Sequence, residues 1–587
     1  MSLRPIPPVR WQVTGNHWIS LPCIHAETGA VHALGLLHRA ARSGVEFAGD
    51  PGFVDGQGPP LFAVTLHGLP AEPLRWERTQ EWIPTWVREA GDLTIRGVIF
   101  APYGRDVDVP GFVYSVSFDN RGSSPIDVVL VFEGVLGLRQ QRVRTARRFD
   151  DAHRVERSED AVILEGASLP GPAALAISAD DAPEINCESG DAPGFAFRRT
   201  ITVPAGGSAD AAFYIAAGPE RDGAVATGIA MRRRGWRELL DATRTALRSL
   251  EQSTGVEELD AVVNRNLLFA YFYAVGRALD DAHYYLVRSR APWNGRGLTV
   301  RDWDALALAL PAIQLADAPL ARELLLRACE LHGYAAGRGV NYLDGTLFEP
   351  GFSLEGAASY ALATERYIRE TGDDQIVEEP VIADTLYSSA DDIAARRNKS
   401  TPLYATEVSP SGERVAYPYT LHANAIAAMA LDVFQRTLDA ETAKGIEDPS
   451  AVRAAIVRQF SVDTAGKASL ASAIDLNGGV STTDDPVASA LWLPLYEAFD
   501  RNESVFRRTV KLIPQDRTSL IRQLARLVGP DASGVLSWLR TAPLDGGLAA
   551  EQLDDTGAAV ANGGDATLAG LLAYTVWYAI HALGLRP

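Results

Sequence analysis

At 587 residues the chain is too long for one ordinary domain, and two or three are expected. Its 47% hydrophobic and 22% charged content is that of a soluble globular protein. A formal net charge of -19 argues against nucleic acid and anionic membrane as partners, because both demand dense Lys and Arg. The three cysteines, Cys23, Cys187 and Cys329, are scattered and match neither a disulfide framework nor a metal-ligand spacing. The first thirty residues carry no basic start followed by an apolar run, and no stretch of 18 apolar residues offers a membrane span. A cytoplasmic location is therefore expected.

Residues 1–218 read as β-structure. Short apolar and β-branched runs at 61–66, 93–100, 112–118, 126–132, 161–164, 173–177 and 195–203 are bounded by Gly, Pro, Asp and Asn. The run Phe112-Val113-Tyr114-Ser115-Val116-Ser117-Phe118 alternates at period two, and Asn120-Arg121-Gly122-Ser123-Ser124-Pro125 is a turn before the next run. Strands at this spacing predict an antiparallel β-sandwich.

The pattern changes near residue 219. A long helical pattern over 224–250 suggests a linker helix region at 219–255. Helical periodicity then recurs at 256–278, 302–315, 319–332, 355–371, 379–397, 421–440, 449–460, 486–500, 517–527 and 568–583. Loops rich in Gly, Pro and Asp join these segments, which share no common repeat length. A helical toroid over 256–587 is expected, placed after the sandwich.

Four loop-to-helix segments carry the candidate chemistry. In the first, Trp293-Asn294-Gly295-Arg296-Gly297 leads to Arg301-Asp302-Trp303-Asp304. Acidic residues at a helix start satisfy free N–H groups. The adjoining Arg301 and tryptophans add what a sugar site needs, bidentate partners for hydroxyls and flat apolar faces. In the second, Glu349 precedes Pro350, and Glu355 opens a helix that continues through Tyr360. Either glutamate qualifies as a catalytic acid, and Phe352 and Tyr360 offer the apolar surround that raises a carboxyl pKa. The third, 404–419, leads to His422, a candidate substrate contact. In the fourth, Glu551 and Gln552 follow Gly546 and Gly547 in a Gly- and Asp-rich loop before the last helix. So many glycines are costly unless the backbone must approach something closely.

The ten histidines form no metal motif. Phosphate-binding and nucleophile-elbow signatures are absent as well, so no cofactor or metal is expected.

Together these residues resemble the inverting glycosidases built from a β-sandwich followed by an (α/α)6 barrel, the six-hairpin glycosidases. Bacterial glucoamylases and the glucosidase domain of glycogen-debranching enzymes are the nearest groups. The stretch Glu551-Gln552-Leu553-Asp554-Asp555-Thr556-Gly557 is similar to the glucoamylase base motif L-P-E-Q-x-D-x-x-T-G, with Ala549-Ala550 where Leu-Pro or Leu-Ser is usual. The segment ending Arg301-Asp302 is similar to the W-x-x-x-R-D motif that holds the terminal glucose. Glu355 to Asp373, ending Arg366-Tyr367-Ile368-Arg369-Glu370-Thr371-Gly372-Asp373, resembles the debranching helix that opens with the acid. Two departures stand out. The Trp-Glu-Glu run of glucoamylases is absent, with Phe348-Glu349 its nearest echo, and debranching enzymes usually carry Asp where Glu355 stands.

The resemblance implies an inverting, exo-acting glucosidase on α-linked glucosides or oligosaccharides. Glu551 would be the base and Glu355 the acid, with Glu349 the alternative. Trp293, Arg301, Asp302, Trp303, Asp304, Tyr360, His422 and Gln552 would contact substrate. An inverting disaccharide phosphorylase and an inactive carbohydrate-binding protein of the same fold stay open, and a homo-oligomer is compatible with the sequence.

Overall fold

The computed structural model describes residues 11–69, 72–150, 153–181, 183–190, 192–464, 466–516, 518–530, 532, 534–554 and 564–586. The chain divides into two compact units. One holds Met1–Glu251, Val275–Tyr284 and Ser289–Leu298, and the other holds Gln252–Ala274, Tyr285–Arg288 and Thr299–Pro587.

The described strands of residues 11–218 form three antiparallel sheets of six, four and eight strands. The run that alternates at period two falls inside Gly111–Asn120. That strand sits within the eight-stranded sheet, between Ser208–Gly218 and Leu93–Phe100. Phe132 of the four-stranded sheet stacks on Phe213 of the eight-stranded sheet at 4.2 Å, so the two sheets share a core of Phe62, Phe112, Phe132, Phe195, Phe197 and Phe213. Such ring pairs add to the large apolar area each Phe buries. The helix Arg221–Arg234 packs on Ala173–Ala179 and Ser208–Gly218. Its buried residues are Ala224, Gly228 and Met231. The helical pattern at 224–250 is not one helix. Gly235, at φ 78°, separates Arg221–Arg234 from Trp236–Leu250, a backbone state that glycine adopts without a Cβ penalty.

The second unit is helical. Glu257–Tyr273, Ala318–His332, Leu354–Thr371, Pro380–Ala394, Leu421–Thr437, Pro449–Gln459 and Ala566–His581 are its long helices among the described residues. The last of them packs against the first, Glu257–Tyr273. It also packs on a π-helical turn, Asp304–Ala309, and on Leu310–Ala316. Close approach depends on Gly570, where a Cβ would lie 3.0 Å from the Ala309 Cα. The helix expected at 486–500 is reduced to one turn, Ala490–Trp492. Ser489 caps that turn, and Pro494 lacks the N–H a continuing helix needs. No helix among the described residues is long and apolar enough to cross a membrane.

Candidate active site

The polar centre of the second unit is built around Arg288. Its backbone N–H donates to the Thr299 carbonyl at 3.0 Å. Its guanidinium is 6% exposed and meets three carboxylates. Nε and Nη2 donate to Asp565 Oδ2 at 2.9 and 2.6 Å, Nη1 pairs with Asp304, and Nη2 reaches Glu551 Oε1 at 3.4 Å. Asp565 is fixed by a second task. As the N-cap of Ala566–His581, its Oδ1 accepts from the Thr567 and Leu568 N–H groups at 3.1 and 3.2 Å.

The electrostatics follow from that geometry. Burial alone would pull the Arg288 pKa down, but the Asp304 and Asp565 carboxylates outweigh it and raise it. For Asp565, burial pushes upward and is outweighed by Arg288 and the Thr567 hydroxyl, leaving the carboxyl below its ordinary value. Both Asp304 and Asp565 have only 4% of their side chains exposed, whereas Glu551 has 40%. Glu551 is thus the member of the cluster that an incoming molecule can touch.

The loop before Glu551 is pinned from the helix Glu257–Tyr273. Arg265 Nε donates to the Gly546 carbonyl at 3.2 Å. Asn266 donates to the Gly547 carbonyl at 2.9 Å and accepts from the Ala549 N–H at 2.8 Å. Gly546 and Gly547 take φ values of 60° and 77° to make these bonds possible. Gln552 is exposed and pairs its backbone with Ser519. Asp555, Thr556, Gly557 and Gly563 of the sequence motif lie outside the described residues.

A second group surrounds Glu355, in the first turn of Leu354–Thr371. This carboxylate is 0% exposed. Oε1 lies 3.1 Å from His422 Nδ1, and Ser353 Oγ donates to Oε2 at 3.4 Å. The His422 ring stands edge-on to Trp303 at 5.5 Å, and Trp303 also contacts Tyr496 at 5.4 Å. Trp303 is followed in the chain by Asp304 of the Arg288 cluster, so the two groups join at Trp303-Asp304. Trp303 Nε1, Asp304 Oδ1 and His422 Nε2 are buried with no protein hydrogen-bond partner among the described residues.

Asp302 and Tyr360 form a third group. Asp302 accepts from the Gly337 N–H at 2.7 Å and from the Tyr360 hydroxyl at 2.8 Å. Burial pushes its pKa up to about 6, the two hydrogen bonds and Arg301 opposing. Arg301 Nη1 donates to the Pro410 carbonyl at 2.7 Å. The loop at 404–419 crosses Arg301 so closely that a Cβ at Gly412, φ 88°, would strike the guanidinium. Glu349 is exposed on the hairpin strand Leu347–Pro350, opposite Val340. Trp293 belongs to the first unit, packed on Cys23, Ala33, Ala48, Phe53 and Leu138.

Arg288 and Asp565 were not among the sequence candidates. Asp565 carried a readable sign, an Asp directly before an apolar helix. Arg288 ends a short apolar run and carried none. No group of three or more His, Cys, Asp or Glu side chains among the described residues is placed to hold a metal.

No family model matches the sequence, and no curated protein matches it. Solved structures do. A bacterial glucoamylase complexed with acarbose superposes with a TM-score of 0.63 at 10% identity, covering 99% of this chain and 95% of that one. A protein from the human microbiome assigned as a kojibiose phosphorylase gives 0.61 at 10% identity, covering 97% and 86%. The chain therefore has the glucoamylase-like glycosidase fold, with antiparallel sheets followed by a helical part. At this identity the likeness is one of fold.

Proposed function

We propose that this protein is an inverting glycoside hydrolase, an exo-acting glucosidase on α-linked glucosides or oligosaccharides. In this reading the two units are a β-sandwich and an (α/α)6 barrel, and the packing of Ala566–His581 on Glu257–Tyr273 closes the helical ring. The observation that carries the proposal is Glu551, a solvent-reachable carboxylate held by a buried arginine. As base, Glu551 takes a proton from a water molecule while that oxygen bonds to the anomeric carbon. The bond to the leaving oxygen breaks as the acid protonates it, and the anomeric configuration inverts. Acid and base carboxyls in this mechanism stand about 6.5–9.5 Å apart to admit the water.

Glu355 is the acid in the leading reading, supported by the contacts through His422 and Trp303 that run toward Asp304 and Arg288. A second reading assigns the acid to Glu349, because it is exposed while Glu355 is enclosed. Arg301, Asp302, Trp303, Asp304, Tyr360, His422 and Gln552 are the proposed substrate-binding group. Of these, the enclosed Asp302, Trp303, Asp304, Tyr360 and His422 would act by shaping the walls.

The test is a screen of α- and β-linked glucose disaccharides with NMR of the anomer released. Hydrolysis with inversion is expected, and Glu551→Gln should abolish it while leaving sugar binding intact. Full turnover in that variant would remove the assignment. Glu355→Gln is expected to be the more damaging acid variant, and the opposite ranking moves the acid to Glu349.

A further inference from the structure

Stability alone does not account for Arg288. The cluster sets one guanidinium against three carboxylates, an excess of negative charge in a mostly buried place. Buried ion groups of this kind are often no more stabilising than apolar residues of the same volume. What the arrangement does provide is a rigid line of support. The N-terminus of Ala566–His581 holds Asp565, Asp565 holds Arg288 through two donors, and Arg288 reaches Glu551 Oε1. Asp304 occupies the remaining corner of the guanidinium. Two carboxylates that water barely reaches thus fix a cation beside one carboxylate that is partly exposed.

We infer that Arg288 is a positioning residue for Glu551. It orients the carboxylate through Oε1, while Asp304 and Asp565 fix the guanidinium that reaches it. This rests on the reading of Glu551 as the base. Among the described residues, the elements around Glu551 also carry Asp545 and Asp554 on its own loop and Arg265, Glu257, Glu258 and Asp260 on the supporting helix.

The signs follow from Coulomb's law. Removing the Arg288 charge takes away the cation and leaves Asp304 and Asp565 uncompensated, and both changes raise the Glu551 pKa. Removing the Asp304 charge acts in the opposite direction. Asp304→Asn is a mild change, because its amide oxygen can face Arg288 and its NH2 can take the place of the Oδ1 atom that lacks a protein partner.

The measurement needs no substrate. Carbodiimide coupling of a small amine consumes the protonated carboxyl, and mass spectrometry of the Glu551 peptide against pH reads the midpoint at that residue. In Arg288→Met the midpoint is expected to rise by at least about one pH unit, the scale for an opposite charge at this range. In Asp304→Asn it should fall, and Arg288→Lys should restore part of the wild-type value. An arginine that packs the cluster without reaching Glu551 would leave its midpoint nearly unmoved. If Arg288→Met does not fold, the fall in Asp304→Asn carries the test. Unmoved midpoints, or changes of the wrong sign, overturn the inference.

Turnover of α-glucosyl fluoride separates this inference from the reading beneath it. Arg288→Met should lose about a hundred-fold in kcat with KM nearly unchanged, the lower end for loss of general base assistance. Unmoved midpoints together with a dead Glu551→Gln would sink the role of Arg288 alone. Moved midpoints with a fully active Glu551→Gln would sink the base assignment and leave the hold of Arg288 on Glu551 standing.

Discussion

Asp302 carries the clearest consequence of burial. Its side chain is enclosed, and desolvation lifts its pKa to about 6 from an ordinary value of 3.8, although Gly337 and Tyr360 donate hydrogen bonds to it. The folded protein therefore holds the proton more tightly than the unfolded chain does. The stability this contributes is fully present below the unfolded pKa and is lost as pH rises through about 6. A rise of that size corresponds to roughly 3 kcal/mol. Asp302→Asn cannot titrate, so the stability advantage of the wild type over this variant should shrink by that order between pH 4 and pH 7. Denaturant unfolding of both proteins at the two pH values checks it, and a difference that stays constant refutes the role of burial. The same residue shows where sequence reading stops. The sequence picked out Arg301-Asp302 only as a candidate pair, and in the fold Arg301 bonds to a carbonyl 109 positions on and Asp302 to a backbone N–H 35 positions on. Neither partner has a local signature.

Among the helices, capping is the most local of the signals that set the boundaries. Asp317 opens Ala318–His332, accepting from the Leu320 N–H at 3.0 Å through Oδ1 and from the Tyr271 hydroxyl at 2.8 Å through Oδ2. Asp317→Ala loses the cap and the hydrogen bond that Asp317 accepts from the Tyr271 hydroxyl. Its expected cost is about 2 kcal/mol. Asp317→Asn keeps one amide oxygen to accept from the Leu320 N–H and loses the second acceptor, so it should cost about half as much. Calorimetric Tm values of the two variants decide it, and equal losses would show that the cap oxygen is not the stabilising atom. The helix expected at 355–371 agrees with Leu354–Thr371 because Ser353 caps one end and Gly372, at φ 77°, closes the other. The pattern at 486–500 misled because its apolar spacing came from a buried, Pro-interrupted segment rather than a helix face. The Arg288 cluster was illegible for a different reason. Its members lie 16, 263 and 277 positions from Arg288, and only packing of the last helix brings them together.

At the scale of the whole molecule, charge bears on the choice between water and phosphate as the second substrate. A phosphorylase must draw an inorganic anion to the site and hold it against the anomeric carbon. This chain carries a formal net charge of -19, a field that lowers the local concentration of anions and favours neutral ligands. The residue nearest the proposed point of attack repeats the sign, since the positive charge of Arg288 is outnumbered by its three carboxylate partners. A phosphate dianion there would face the like charge of Glu551. Cleavage of a disaccharide substrate should accordingly give free sugar only, at the same rate in phosphate buffer and in a phosphate-free zwitterionic buffer. A neutral substrate is not steered by the field, so kcat/KM should also stay nearly flat as salt is raised. Chromatography of the products with a sugar-phosphate standard reads the first outcome directly. A sugar phosphate that appears in proportion to added phosphate would reverse the assignment. It would mean that Arg288 turns from Glu551 to the incoming anion, and the fall in rate with salt that accompanies anion steering would then appear as well.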